Sequence, residues 1–545
     1  VFMPFPSCPS CNSDLGKGNY YVQPVGGYGK SKSGITRLVM VCKENPDCAF
    51  HNQPLPIYLT DEDVFRFSPT IVVGTVDKFA KLAWDTDAGK LFNRYHRLCQ
   101  QHGLFHEREA PCSCKTISDI KCTPPELIIQ DELHLITGPL GSMVGAFEVA
   151  IRALCKIGTV EPKYIASTAT IRGAGRQLMD LYRKDSFQFP PSGLDHDHSF
   201  FAQKAPSDDA SKVRTYIGIS AQGRSGKLIT ARLYAALNHF YHHHRRGTTF
   251  DSADLDFFRT VVGYFNSRKE LGGVNSMIGD DVLKWRKYQH DIDTSRYNHE
   301  VPIDSEELMG GLASEKVMNV LDRMSIGSHK SPEFVLATNI LSVGIDINRL
   351  ISMVVAGQPK TTSEYIQASS RVGRERSGLV FMNYNWARAR DRSHYEKFRA
   401  YHEQLYRFVE GISVTPYSPE ARRRAMAGTL VTMLRHDIPQ LWGDNGAIGF
   451  DPNHAHVKKI KEEYLANISD LNTREEVRRE IDKFFEDWFR AARGSTAELR
   501  YKSSPKIRGV LAPFGTERDN FIEYFVTSLR NVDDEVPLRL IGGVI

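Results

Sequence analysis

The sequence predicts an α/β protein made of two tandem lobes, each organised around a parallel sheet, with a helical region behind them. Three observations carry this. Short strand-like apolar runs alternate with longer helical ones in two blocks, residues 61–190 and 213–390, the pattern of βαβ units. Between the blocks, residues 191–212 are crowded with turn formers and charges and read as a linker. Some strand-like runs also end directly in acids or hydroxyls, and the carboxyl ends of strands are where doubly wound sheets bind ligands.

In the first block, IVVGTV (71–76) reads as a strand before the helical DKFAKLAW, LIIQ (127–130) as a strand before two acids, and KYIAST (163–168) as another strand. In the second, RTYIGIS precedes the helical KLITARLYAALNHFYHHH, and RTVVGYFNS, SPEFVLATN, LISMVVAG and GLVFMNYN follow as strands. Residues 391–545 turn helical, as in REEVRREIDKFFEDWFRAAR. Residues 1–60 are rich in Gly, Pro and Cys and read as a cysteine-rich, zinc-ribbon-like insertion in the first lobe.

Bulk properties bound the function. The 545 residues are 41% hydrophobic and 25% charged, which suits a globular protein with real cores. The net charge of +5 permits an anionic partner without demanding one. No apolar run approaches the roughly 18 residues that a membrane span needs, and VFMPFPSCPSC lacks the pattern of a signal peptide. A cytoplasmic location is expected. The first residue is Val, which suggests a piece of a longer chain.

There are nine cysteines, and without a secretion signal clustered cysteines favour metal over disulfides. CPSC, with Cys8 and Cys11, pairs with CKENPDC, with Cys42 and Cys48, in a spacing suited to a tetrahedral structural Zn²⁺. Cys99, Cys112, Cys114 and Cys122 form a looser group that reads as a second metal site or as ordinary thiols, with His102 and His106 as substitute ligands. Cys155 sits in an apolar stretch and reads as a core thiol.

Asp131 and Glu132 follow LIIQ at once, in IIQDELHLITG. At a strand end they need not be buried. One acid can hold Mg²⁺ and the other can polarise an attacking water in nucleoside triphosphate hydrolysis; alternatively they are a solvated acid pair. STAT (167–170) closes the next strand. Far downstream come ATNILSVGID (337–346) and QASSRVGRE (367–375). Spacing of i, i+4 and i+7 puts Gln367, Arg371 and Arg374 on one helix face, where arginines can reach phosphate or simply meet solvent. The run of histidines in YHHHRR (241–246) and the mixed RARDRSHYEKFR (388–399) also read two ways, as a metal site or helix end, and as a strand-binding or a solvated face.

As an ordered set, DELH, STAT, ATNILSVGID and QASSRVGR resemble motifs II, III, V and VI of superfamily 2 helicases, with GTVDKF (74–79) similar to motif Ib and VGYFNSRKELGG (262–273) to motif IV. The longer wording, IIQDELHLITGPLGSMVGAFE with MVVAGQPKTTSEYIQASSRVGR, resembles the DrmA family, the helicase-like subunits of bacterial DISARM anti-phage systems. The resemblance implies two RecA-like lobes and ATP-driven movement on DNA, single-stranded or with a single-stranded overhang, beside a DrmB-like protein partner. Asp131 and Glu132 would then serve Mg²⁺ and the hydrolytic water. His134, Ser167, Thr168 and Thr170 would couple nucleotide state to movement. Gln367, Arg371 and Arg374 would contact ATP from the other lobe. Gly344 and Asp346 would lie between nucleotide and strand. Thr75, Lys78, Asn266, Ser267 and Thr338 would grip the nucleic-acid backbone.

One departure matters. The phosphate-cradling G-x-x-x-x-G-K-[ST] is missing. In GGYGKSK (26–32), Pro24 stands where its first glycine should be, and in GRSGKLI (223–229), Leu228 replaces the hydroxyl. Motif I is expected upstream of Val1, so this piece alone should not hydrolyse ATP. An ATP-inactive nucleic-acid clamp and a scaffold of zinc modules remain the rival expectations.

Overall fold

The computed structural model describes the chain except for residues 1–4, 6, 26–34, 100–101, 107–115, 118–122, 169–172, 192, 195–197, 199, 202–212, 246–250, 294–301, 313, 328–329, 339–346, 495–498, 505–506, 515, 517–519 and 530–545. It divides into two compact units. One is built mainly from Phe5–Thr168, Gly173–Phe187 and Ile412–Ile545, the other from Gln188–Gly411.

The first unit opens with the antiparallel hairpin β1 (Tyr20–Val25) and β2 (Ile35–Met40), with Tyr20 opposite Met40. The helix α1 (Asp61–Phe67) follows, capped by the Thr60 hydroxyl, which accepts the Asp63 N–H. The expected strand IVVGTV is not one. Residues 71–75 have no regular structure and pair with no strand among the described residues, and Ile71 and Val73 are 80% and 94% exposed. Its apolar, β-branched composition favours a strand, but composition cannot supply the neighbour that a strand needs. The next residues form a 3₁₀ turn, Val76–Ala80, and a short helix α2 (Lys81–Trp84). A small antiparallel sheet joins β3 (Arg97–Cys99) to β4 (Gly103–Phe105) and β5 (Thr116–Ile117). β6 (Leu127–Gln130) leads through a 3₁₀ turn, Leu133–Leu135, into α3 (Gly138–Cys155). β7 (Lys163–Ala166) pairs parallel to β6, Gln130 opposite Ala166, and α4 (Ala174–Tyr182) follows.

The second unit is a six-stranded sheet with every pairing parallel. In chain order its elements are β8 (Arg214–Ser220), α5 (Gly226–His244), α6 (Ser252–Asp256), β9 (Val261–Phe265), α7 (Arg268–Met277), α8 (Leu283–Asp293), β10 (Ser305–Leu308), α9 (Ser314–Ile326), β11 (Phe334–Ala337), β12 (Ser352–Ala356), α10 (Thr362–Ser369), β13 (Gly378–Tyr384), α11 (Ala389–Glu396) and α12 (Phe398–Glu403). The strand order is β10-β11-β9-β12-β13-β8. Alternate residues feed two cores. Val262, Tyr264, Val335, Met353 and Met382 pack with Val320, Met324, Tyr365 and Ala368 on one face. Val261, Phe265, Leu336, Val354 and Phe381 pack with Tyr234, Leu271, Val274 and Val282 on the other. Burial on both faces is why these strands read as continuous apolar runs.

Residues 412–545 rejoin the first unit. The buried helix α13 (Pro419–Asp437) lies along α3, and the Thr429 hydroxyl donates to the Ala146 carbonyl at 3.3 Å. After α14 (Ala455–Ala466) and α15 (Leu471–Arg493) comes a three-stranded parallel sheet, β14 (Leu499–Lys502), β15 (Arg508–Ala512) and β16 (Phe521–Tyr524). Among the described residues no helix is long and apolar enough to cross a membrane.

Candidate functional site

The parallel pairing of β6 with β7 brings DELH and STAT together. Past the last rung, the Ser167 N–H donates to the Gln130 carbonyl at 2.9 Å and the Leu133 N–H to the Ser167 carbonyl at 2.9 Å. This lock lets the Ser167 hydroxyl donate to Asp131 Oδ1, which also accepts the Glu132 N–H at 2.9 Å. Those two donors hold the Asp131 carboxyl below the usual carboxylate range. Asp131 is exposed and therefore ionised at neutral pH, the state a divalent cation needs.

Glu132 adopts the left-handed conformation, φ 51° and ψ 47°. A non-glycine residue there costs about 1–2 kcal/mol, and such strain gathers at functional sites. The turn aims Glu132 beside buried His134, whose Nδ1 lies 3.3 Å from Glu132 Oε2. Gln177 of α4, a residue no motif pointed to, braces this turn from below. Its amide donates to the carbonyls of Leu133 at 3.2 Å and Ile136 at 2.8 Å. Thr168 is exposed beside the same strand end, and Thr170 lies outside the described residues.

Thr75 is exposed at the start of its 3₁₀ turn. Lys78 is exposed too, but its ammonium sits on Asp61, 2.9 and 3.0 Å from the two oxygens, and Lys81 meets the same carboxylate. Both lysines hold the Asp61 carboxyl below its ordinary range despite partial burial.

In the second unit, Asn266 and Ser267 end β9 and open α7. The Asn266 amide donates to the carbonyls of Ala356 at 3.2 Å and Gln358 at 3.3 Å, tying the ends of β9 and β12 together. The Ser267 hydroxyl caps α7, accepting the Glu270 N–H at 3.3 Å. Thr338 is buried past the end of β11. Gly344 and Asp346 lie outside the described residues.

The expectation of one helix carrying Gln367, Arg371 and Arg374 is corrected. α10 ends at Ser369, so only Gln367 is helical, and both arginines lie in the turn beyond. The physical reason is Gly373, at φ +76°, a left-handed position that a helix cannot include. It turns the chain toward β13, and its N–H donates to the Leu350 carbonyl at 2.9 Å. The turn is pinned by Arg214, which donates to the Val372 carbonyl at 2.8 Å, and Arg374 Nε donates to the Ser370 carbonyl at 3.3 Å. At the other end of α10, Glu410 accepts the Thr362 N–H at 2.8 and 3.0 Å. Sequence spacing gave no sign of Arg214 or Glu410.

Cys8, Cys11, Cys42 and Cys48 converge, with their sulfurs all within 4.8 Å of one another. Cys8 and Cys48 stand 3.9 Å apart, Cys11 and Cys42 3.6 Å. Both values are near the edge of a tetrahedron with metal–sulfur bonds of about 2.3 Å and far beyond a disulfide of about 2.05 Å. Ser13 beside Cys11 pulls its thiol down to about 6, while burial and the neighbouring thiols push Cys42 up to about 12. The four sulfurs fit a metal ion. In the second group only Cys99 is described, with its sulfur 3.4 Å from His102 Nδ1; Cys112, Cys114 and Cys122 lie outside the described residues. His106 turns away to the Thr86 carbonyl at 3.1 Å, and burial pushes it down to about 4.

The remaining motifs have structural employment. Ser225 in GRSGKLI caps α5 by accepting the Leu228 N–H at 3.2 Å. His242 meets Glu333 at 2.7 Å. In RARDRSHYEKFR, Arg388 pairs with Glu270, Arg390 donates to the Lys360 carbonyl at 2.8 Å, and Arg392 lies over the Trp386 ring.

Residues 268–376 match the family described as the helicase conserved C-terminal domain. The chain is 37% identical over 564 aligned positions to the DISARM protein DrmA of Bacillus paralicheniformis, an alignment covering 98% of this chain and 49% of that protein. The chain thus spans about half the length of this relative. Among solved structures it is similar to the DUF1998 helicase MrfA bound to DNA and AMPPNP, at 15% identity and TM-score 0.45 over 68% of this chain and 42% of that one. It is also similar to the Mycobacterium smegmatis helicase Lhr bound to ssDNA and AMP-PNP, at 14% identity and TM-score 0.35 over 58% and 37%.

Proposed function

We propose that this chain, which resembles DrmA and carries a helicase conserved C-terminal domain, is part of an ATP-dependent superfamily 2 DNA helicase or translocase acting in a DISARM-like anti-phage complex. One observation carries the hydrolytic part: the joined ends of β6 and β7, where ionised Asp131 rests on Ser167 and a strained backbone displays Glu132. In this reading Asp131 holds Mg²⁺ and Glu132 polarises the attacking water. Ser167, Thr168 and Thr170 relay the nucleotide state, and His134 steadies Glu132. Arg371 and Arg374 neutralise phosphate charge while Gln367 contacts the nucleotide, and Gly344 and Asp346 serve between nucleotide and strand.

Thr75, Lys78, Asn266, Ser267 and Thr338 contact the DNA backbone, which positions a strand without reading its sequence. Lys78 must exchange Asp61 for phosphate to do so. The four cysteines Cys8, Cys11, Cys42 and Cys48 hold a structural Zn²⁺, and Cys99, with Cys112, Cys114 and Cys122, completes a second metal site. The protein works in the cytoplasm beside a DrmB-like partner.

A second reading is a nucleic-acid clamp without turnover. The test is binding and turnover by the full-length protein with single-stranded DNA across a salt series. Affinity that falls steeply with salt, together with Mg²⁺-dependent hydrolysis lost in Asp131→Asn, is the expected result. Salt-sensitive binding without hydrolysis in any nucleic acid selects the clamp. No affinity selects a scaffold.

A further inference from the structure

Glu148 is a carboxyl that none of the roles above employs. It lies in the middle of α3, the helix that DELH leads into, and it is buried. No ion pair to it exists among the described residues. Its partner is the Tyr164 hydroxyl, which donates to Glu148 Oε1 at 2.6 Å. Tyr164 belongs to β7, three residues before Ser167.

The charged and titratable neighbours make their hydrogen bonds and ion pairs elsewhere, although the Arg152 charge still acts on Glu148 at a distance. Arg152, one helical turn away, donates to the Tyr182 carbonyl at 2.7 Å and to Asn467, and faces Glu161. Tyr182 of α4 stacks on the Tyr164 ring with centroids 4.6 Å apart. Cys155 is a buried thiol on the same helix. α13, also packed on α3, turns Arg422 to Glu476 and Glu480, and Arg435 to Thr86 and Asp444. So the Glu148 carboxyl ties α3 to β7, the strand that STAT follows, through its hydrogen bond to Tyr164.

We propose that Glu148 is a positioning residue for nucleotide turnover: through Tyr164 it fixes β7 against α3 and so seats Ser167 on Asp131, and its grip depends on whether it carries a proton. The role rests on the hydrolytic reading above. Burial pushes this carboxyl up to about 7 against the opposing pull of the Tyr164 hydroxyl and the Arg152 charge, so both forms are populated near neutrality. The neutral form suits its dry site. The ionised form demands solvation that α3 and β7 can offer only by parting, which loosens the lock between Gln130, Ser167 and Leu133.

The experiment compares wild type, Glu148→Gln and Tyr164→Phe in the full-length protein. Gln keeps the shape and the acceptor but cannot ionise. Amide exchange of the segments holding residues 127–137 and 163–168, corrected for intrinsic rates, is followed at about pH 6 and about pH 8. Wild type should lose about three- to tenfold in protection over that interval, and Glu148→Gln should lose none. In ATP turnover, the wild-type kcat should bend near pH 7, Glu148→Gln should lack the bend with KM unchanged, and Tyr164→Phe should lower kcat with KM unchanged. A Glu148→Gln variant whose exchange and pH profile both match wild type overturns the proposal. If wild type hydrolyses no ATP, the hydrolytic reading falls by itself, and exchange alone then upholds or overturns Glu148 as the residue that sets this strand end.

Discussion

Glu132 carries its side chain on a left-handed backbone with no glycine to ease it, and the hydrogen bonds around it explain why the strain persists. Gln177 is the brace. It is buried and spends both amide hydrogens on the turn, so Gln177→Leu takes the side-chain donor from the Ile136 carbonyl, while that of Leu133 keeps the Ile136 N–H, and should cost about 1–3 kcal/mol. Urea denaturation reads that loss, and ATP turnover should fall with it. Glu148 gives a second prediction with a definite sign. Its folded carboxyl, at about 7, lies above its value of 4.5 in a free chain. The folded state therefore holds a proton that the unfolded chain gives up. Stability is full below about pH 4.5 and falls as pH rises to about 7, by an amount on the order of 3 kcal/mol. Glu148→Gln has no such decline. Its melting temperature relative to wild type should rise from pH 5 to pH 8, and an unchanged difference would contradict the assignment. At this scale the acids and hydroxyls were legible because they are side chains in a recognisable order. Gln177, Arg214 and Glu410 were not, because each acts on backbone far away in sequence and leaves no local pattern.

At the scale of elements, the cysteine module makes the plainest prediction. Its core holds three fully buried apolar side chains besides the cysteines, Leu15, Met40 and Leu55, with Phe5, Tyr20, Phe50 and Ile57 packed partly buried around them. A core so small needs a staple. The purified protein should carry zinc on these four sulfurs, and Cys8→Ser with Cys42→Ser should remove about one ion per chain and unfold the β1–β2 hairpin. Metal content and exchange protection of Ile35–Met40 check this; a metal-free yet fully protected hairpin would contradict it. A second prediction concerns α13. A Cβ on Gly428 would meet the Phe525 ring at 2.1 Å, so Gly428→Ala forces apart a buried helix and its neighbour. It should destabilise by about 1–3 kcal/mol although alanine is the better helix former.

Element type was readable where burial was two-sided, as in β9, β11, β12 and β13, whose apolar runs need no further information. It failed at 71–76, where the same kind of run has no pairing neighbour, and at Arg371 and Arg374, where spacing suggested a helix that Gly373 forbids.

At the scale of the whole molecule, each unit carries groups that phosphate chemistry needs: acids and a hydroxyl past β6 and β7 on one, and on the other an amide and hydroxyls past β9 and β11 with arginines in the turn before β13. The alternation of runs made the sheets legible. It could not disclose that residues 412–545 return to the unit of α3, since that depends on packing of α13 against a helix more than two hundred residues earlier. The central claim is that these two sets of residues serve one ATP-consuming motor. DNA-stimulated ATP hydrolysis by the full-length protein, beside Glu132→Gln and Arg374→Ala, tests it most directly. The account predicts turnover in wild type, a loss of at least about a hundredfold for Glu132→Gln, and a loss of about a thousandfold for Arg374→Ala. A folded, DNA-binding wild type with no turnover, or variants as fast as wild type, would contradict it.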